Sequence, residues 1–325
     1  MRLSRWARLL IVTTTLELVG VTVNMTWKEL QPMPVGVAGG TVGLVGDAIL
    51  YAGGTTWADG KKLWLQDVRR YDLTSQAWTS GPPLPEPLAY GPFVQSQTGV
   101  EVLGGVNESG SSRNCRRLDR DAKAWSTAGT VPQDSALGAA ALVGEALYLL
   151  GGCPDAADLS RCASAVWRRD KHGEWTRVNE MPDGAVALRA GAVQSGRIYV
   201  FGGCLASSSR AVRNLDDAWR YDPAADKWQK LRSVPEPVRG ASAVAVDDHR
   251  ILLVGGYTAS DFSNHGWIYN SEKDSYEPST PLPFAASGIA LVARGQSIFA
   301  LGGEDRMRSR TPRVIQGNLA TPDAR

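Results

Sequence analysis

The residues best equipped for chemistry stand together near the C-terminal end, in "LGGEDRMRSRTP", residues 301–312. Glu304 directly follows a diglycine, and Arg306, Arg308 and Arg310 alternate behind it. A carboxylate within hydrogen-bond reach of a hydroxyl can take up a proton and return it. A guanidinium offers a planar fork of donors that grips a carboxylate through two parallel charge-assisted bonds. The last diglycine loop therefore sets a carboxylate and guanidinium groups where a ligand could bind. The same residue types also form solvated ion-pair networks that bind nothing. Other reactive types are sparse. The histidines His172, His249 and His265 are scattered, and Cys115, Cys153, Cys162 and Cys204 lack the spacing of a zinc site.

The elements that must position these residues repeat. Apolar segments ending in diglycine close at Gly54, Gly105, Gly152, Gly203, Gly256 and Gly303, about fifty residues apart. A variable loop follows, then a segment carrying Asp or Asn and an aromatic: "RRYDLTSQAW" to Trp78, "RRLDRDAKAW" to Trp125, "WRRDKHGEW" to Trp175, "WRYDPAADKW" to Trp228 and "WIYNSEKDSY" to Tyr276. A proline introduces another apolar segment before each diglycine strand from the second onward. Each unit thus reads as four short strands, a to d, parted by turns. The glycines stop strand b, the Asp or Asn bonds its own backbone at the c–d turn, and the strand-d aromatic covers apolar area between units. Such units cannot bury their faces alone and must stack; radial closure leaves only short edges. The pattern resembles the kelch repeat across residues 25–317, which implies an all-β, six-bladed β-propeller. The last unit lacks a following Trp, and Trp27 in "NMTWKELQPMP" lacks preceding strands. We therefore expect Trp27 on the outer strand of the last blade, closing the ring from the N-terminus.

The chain has 325 residues, 43% hydrophobic content and a net charge of +2. There is no basic field for nucleic acid, so an anion site must be local. Arg2, Arg5 and Arg8 precede an apolar run from Leu9 to about Val23 that Glu17 interrupts. Residues 1–24 read as a secretory signal or an anchor, leaving 25–325 as the propeller, and the expected location is periplasmic or secreted, with the cytoplasm as the alternative. Beyond such an anchor no membrane partner is expected. Four cysteines permit three pairings; Cys153 and Cys162, in one loop, are the expected pair, and free thiols are the alternative.

In a four-stranded meander the d–a and b–c connections share one face. The b–c loops are long here, about fifteen residues in most blades, and long loops converging on a rigid scaffold are where function sits. Strand a is innermost, so its first residues should ring the channel mouth: Gly39, Tyr90, Leu137, Arg189, Arg239 and Ser287. Glu304, Arg306, Arg308 and Arg310 belong to the same face.

"GGEDRMRSRTPRV" resembles a stretch of the kelch-type sialic acid mutarotases, the N-acetylneuraminate epimerases. Their propeller carries Gly-Glu, five intervening residues and Arg-Thr, matched here by Gly303-Glu304 and Arg310-Thr311. The placement near the C-terminus is similar to the cyclically permuted branch of that family, as are "LPEPLAYGPFV" and "LGGVN". The loop between Glu304 and Arg310 departs from the family in being charged rather than rich in Gly and Pro. The resemblance implies an isomerase that opens and recloses a cyclic sugar acid, with no metal or redox cofactor. Glu304 would be the general acid and base, and Arg310 would orient the substrate carboxylate. Arg189 and Arg239 would be further contacts, and Tyr90 would stack on the sugar. The rival reading is a non-catalytic kelch module binding a protein or glycan on its loop face. A copper radical oxidase would need histidine ligands, and a sialidase would need Asp-box repeats that are absent. Which sugar acid and which oligomeric state are left open.

Overall fold

Strand formation follows the repeat. A computed structural model describes residues 24–319 except 122 and 210. The segment expected to be a signal or anchor lies, but for its last residue, outside the described residues. Blade 1 comprises Thr41–Val45, Ala48–Ala52, Val68–Asp72 and Ala77–Ser80; blade 2, Phe93–Gln95, Gly99–Asn107, Gly110–Asp119 and Ser126–Thr130; blade 3, Ala139–Val143, Ala146–Gly152, Ala163–Arg169 and Trp175–Val178. Blade 4 comprises Ala190–Gln194, Arg197–Phe201, Ala218–Asp222 and Lys227–Lys230; blade 5, Ser242–Ala245, Arg250–Val254, Gly266–Asn270 and Ser275–Pro278. Blade 6 is Ala290–Arg294, Ser297–Leu301 and Val314–Leu319, completed by Met25–Glu29. That N-terminal strand pairs antiparallel with Val314–Leu319, Trp27 opposite Gly317, so the ring closes as the sequence indicates.

The core lies between blades. Strand b of blade 1 is buried at every residue. Ile49 and Tyr51 of blade 1 pack with Phe299 and Leu301 of blade 6, and Leu252 and Ile268 of blade 5 pack with Ile298 and Ile315 of blade 6. Burying each such aliphatic or aromatic side chain contributes about 1.5–3 kcal/mol, and no blade could do so without its neighbour.

The outer-strand aromatics also tie the ring polar group by polar group. Each donates to a carbonyl at or just past the end of the preceding blade's outer strand. The pairs are Trp27 to Thr280, Trp78 to Gln31, Trp125 to Pro82, Trp175 to Thr130, Trp228 to Asn179 and, through its hydroxyl, Tyr276 to Arg232, at 2.9–3.2 Å. The c–d turns are capped as expected: Asp72 accepts from the amides of Thr74 and Ser75, Asp222 from Ala224 and Ala225, and Asn270 from Glu272 and Lys273.

Two expectations are corrected. The diglycine does not stop strand b in blade 2, where Gly99–Asn107 runs through it; in blade 3 the strand Ala146–Gly152 ends on it. The pairing is irregular between Ser112 and Cys115 and between Leu150 and Gly152. The glycines adopt left-handed backbone, Gly104 at φ 63° and Gly105 at φ 121°, and so act as a bulge that re-aims the strand. The ring at the channel mouth is also shifted. The left-handed positions that line it are Gly39, Tyr90, Leu137, Leu188, Gly240 and Gly288. Their backbones form a girdle: the amides of Tyr90, Leu137, Leu188, Gly240 and Gly288 each donate to the carbonyl of the preceding member at 2.7–3.1 Å. Arg189 thus lies one residue after its expected register, and Arg239 and Ser287 one residue before it. Blades 4 to 6 place the marker residue differently, and sequence alone offers no anchor for the offset. Cys153 and Cys162 are bonded, while Cys115 and Cys204 are free and buried.

Candidate functional site on the loop face

Glu304 is placed by the last diglycine. Gly303, at φ 113°, turns the chain so that Glu304 bridges the end of the d–a connection. The Ser287 amide donates to the Glu304 carbonyl at 2.9 Å, and the Glu304 amide to the Ser287 carbonyl at 2.8 Å. The charged loop then folds back, its return set by bonds from Ser309 to the Arg306 carbonyl and from Thr311 to the Gly303 carbonyl. Gly36 is required beside it, because a Cβ there would meet the Arg310 carbonyl oxygen at 2.0 Å.

This folding separates the three arginines. Arg306 and Arg308 are exposed, Arg308 lying 5.9 Å from the Trp57 ring. Arg310 turns inward, with its side chain only 4% exposed; its Nη1 forms an ion pair with Glu304 Oε1 at 2.9 Å and donates to the Ser309 carbonyl at 2.7 Å. Its buried Nε meets no partner. Glu304 stays one-third exposed. The pair is therefore a carboxylate open to a ligand, backed by a sequestered guanidinium with a donor to spare.

Tyr90 stands at the mouth in left-handed backbone, φ 60°. Gly39 must be glycine, since a Cβ there would lie 2.4 Å from the Tyr90 ring. The Tyr90 hydroxyl shares a hydrogen bond of 3.1 Å with Thr55 Oγ1, and Lys62 Nζ lies 4.8 Å from the ring centroid. Burial opposes ionisation of this phenol, but Lys62, the Thr55 bond and Arg310 outweigh it and hold the phenol below the ordinary tyrosine range. Beside it, burial pushes Tyr51 up to about 12, against the amide of Gly40 and the charges of Arg69 and Arg310. Arg310 thus acts on Glu304 and on both phenols.

Two expected contacts are committed elsewhere. Arg189 lines the mouth but its buried guanidinium pairs with Asp183, which also accepts from Trp219 Nε1 at 2.9 Å. Arg239 turns to Asn214 Oδ1 at 2.6 Å and lies 4.3 Å from the Tyr257 ring. The structure therefore brings Arg310 against Glu304 and within electrostatic reach of Tyr90, leaves Arg189 with Tyr90 at the rim of the mouth cavity, and sends Arg239 to Asn214 of the blade 4 loop and Tyr257 of blade 5. The mouth cavity holds about 240 Å³ and is bounded by Tyr90, Phe93, Leu188 and Arg189 over the glycines of the girdle. A larger one, about 650 Å³, opens at the opposite face between blades 2 and 3. Its floor is Glu101, paired with Arg117 at 2.8 Å and Arg169 at 2.7 Å.

Lys62, Thr55 and Trp64 were not singled out from the sequence. They lie on a hairpin, Thr55–Ala58 with Lys61–Trp64, inside the first b–c loop. Its signal is present in "TTWADGKKLW": alternating residues about an Asp-Gly turn, with Asp59 and Gly60 both left-handed.

A family profile described as the KLHDC2/KLHL20/DRC7 Kelch-repeats domain matches residues 137–316. The chain belongs to the kelch-repeat family. This kelch propeller is also similar to curated proteins named N-acetylneuraminate epimerase. It is 25% identical to that of Haemophilus influenzae (strain PittEE) over 187 residues, 46% of this chain and 50% of the relative. It is 25% identical to that of Yersinia enterocolitica over 181 residues, 44% and 46% respectively. With that of Yersinia pestis (strain Pestoides F) it shares 26% over 197 residues, 48% and 50%. The chain spans about half the length of the curated relatives it matches.

Proposed function

We propose that this kelch propeller is a sugar-acid mutarotase that interconverts the anomers of a sialic acid. The observation that carries the reading is the Glu304–Arg310 pair at 2.9 Å, in which the guanidinium is buried and the carboxylate is accessible. Ring opening of a hemiketal needs a proton removed from the anomeric hydroxyl and one delivered to the ring oxygen. Glu304 is the proton acceptor, a role worth roughly 10²–10⁴-fold in rate. Arg310 holds Glu304 in place through their ion pair. The resemblance to proteins named N-acetylneuraminate epimerase supports the substrate class. The mouth cavity bordered by Tyr90 and Arg189, about 240 Å³, suits one sugar rather than a chain of them. The signal-like N-terminus and the Cys153–Cys162 bond favour an oxidising compartment, the periplasm or the exterior.

The test is NMR anomer exchange with the purified protein on a panel of sialic acids and neutral sugars. Acceleration confined to the sialic acids, abolished by Glu304→Gln in a protein of unchanged fold, is the expected result. Undiminished exchange in that variant removes Glu304 from the mechanism. Acceleration of no sugar leaves a binding module.

A further inference from the structure

The hairpin of blade 1 brings a cation to the mouth that the fold does not use. Its Asp-Gly turn projects the two short strands from the loop face, and Lys62 lies between two rings, 4.5 Å from the Trp64 centroid and 4.8 Å from that of Tyr90. Trp64 meets Tyr90 edge-on at 6.0 Å, on the side of the ring that Lys62 faces. Among the described residues no carboxylate lies within ion-pair distance of Lys62. Thr55, fully buried at the hairpin's base, bonds the Tyr90 hydroxyl. The phenol is thus oriented by one hairpin residue, faced by a second and supported by a third, and it borders the same cavity as the girdle.

The geometry points to Tyr90 as the second proton carrier of the ring opening, with Lys62 and Thr55 as its positioning residues. This rests on the mutarotase reading and adds the acid that Glu304 alone does not provide. The step balances. Glu304 takes the anomeric hydroxyl proton as the carbonyl forms, the bond between the anomeric carbon and the ring oxygen breaks, and Tyr90 gives its proton to that oxygen. After rotation of the open chain, the alcohol returns its proton to the Tyr90 phenolate as it attacks the other carbonyl face, and Glu304 returns its proton to the new anomeric oxygen. Nothing is oxidised or reduced. The charged and titratable groups acting on the phenol are Lys62 of the hairpin, Arg310 of the last loop with its partner Glu304, and Tyr51 of the neighbouring strand. Arg189, at the same rim, is paired with Asp183. The phenolate formed in the open state is therefore met by two cations and the Thr55 hydroxyl.

Two readouts test this. Ultraviolet titration of tyrosinate needs no substrate: the difference between wild type and Tyr90→Phe should show one tyrosine ionising below the others, and Lys62→Met should move it upward. In the exchange assay Tyr90→Phe should lower kcat by about 10²-fold or more with little change in KM. Because Tyr90 must begin protonated, activity should fall as pH rises through its titration, and Lys62→Met should extend that alkaline limb to higher pH. A Tyr90→Phe protein with wild-type rate and pH profile, while Glu304→Gln is inactive, overturns the assignment and spares the mutarotase reading. A wild-type protein that accelerates no sugar sinks both, and a tyrosine titration unmoved by Lys62→Met removes Lys62 from the device.

Discussion

Replacing Trp27 with alanine asks whether the ring is held shut by its N-terminal strand. The indole is half-buried, lies over Gly317 and donates to the Thr280 carbonyl at 3.2 Å. A fully buried Trp→Ala change costs about 3–5 kcal/mol, and half burial scales this to about 2 kcal/mol. The lost hydrogen bond adds about 1 kcal/mol. The sum, about 3 kcal/mol, corresponds to a fall of about 1 M in the urea midpoint at a slope of about 3 kcal/mol per M. A second substitution tests the geometry. A Cβ at Gly317 would lie 2.3 Å from the Trp27 ring, so Gly317→Ala should destabilise the wild-type protein and cost much less beside Trp27→Ala. The expected coupling is about 1–2 kcal/mol. Hydrogen exchange should locate the loss in Val314–Leu319, whose pairing partner is the strand bearing Trp27. A midpoint unchanged by Trp27→Ala, or strict additivity of the two substitutions, would refute the reasoning and place the closure elsewhere.

Stability should also fall at alkaline pH. Burial holds the Tyr51 phenol up at about 12, and burial with hydrogen bonds to Asp226 and Asp274 raises Tyr221 and Tyr269 as well. An unfolded phenol titrates near 10, so the contribution is full below about pH 10 and lost as pH rises toward 12, at about 1.4 kcal/mol per pH unit for Tyr51 alone. Urea midpoints that stay level from pH 9 to 11 would contradict this. Burial likewise pushes the Cys115 thiol up to about 12 and Cys204 up to about 11. Native protein at pH 8 should therefore resist iodoacetamide, and two thiols should react on unfolding without reductant; rapid native labelling would show that these sites open.

Much of the fold was legible because its signals are local and repeated. Six diglycines at a step near fifty residues, each but the last followed by an Asp or Asn turn and an aromatic, specify blade number and strand order. The orphan Trp27 and the last blade's missing aromatic specify closure. The pairing of Cys153 with Cys162 was likewise readable from their place in one loop. The site was legible only in part. Glu304 and Arg310 could be named from the resemblance of their stretch to the mutarotase family, but that Arg310 is the one of three alternating arginines to turn inward depends on how the loop returns over Gly36, a residue 274 positions away in the chain.

The sequence by itself determined the periodic matter: an all-β ring of six kelch blades, its closing strand, and the face on which the long loops gather. Tertiary structure alone decided who meets whom on that face. It sent Arg239 to Asn214 and Arg189 to Asp183, buried Arg310 behind Glu304, and set Lys62 against Tyr90. The reason is physical. Backbone pairing and apolar burial recur every blade and so leave a pattern along the chain, whereas each of these ion pairs and ring contacts forms once, between loops whose relative positions exist only after the ring has closed.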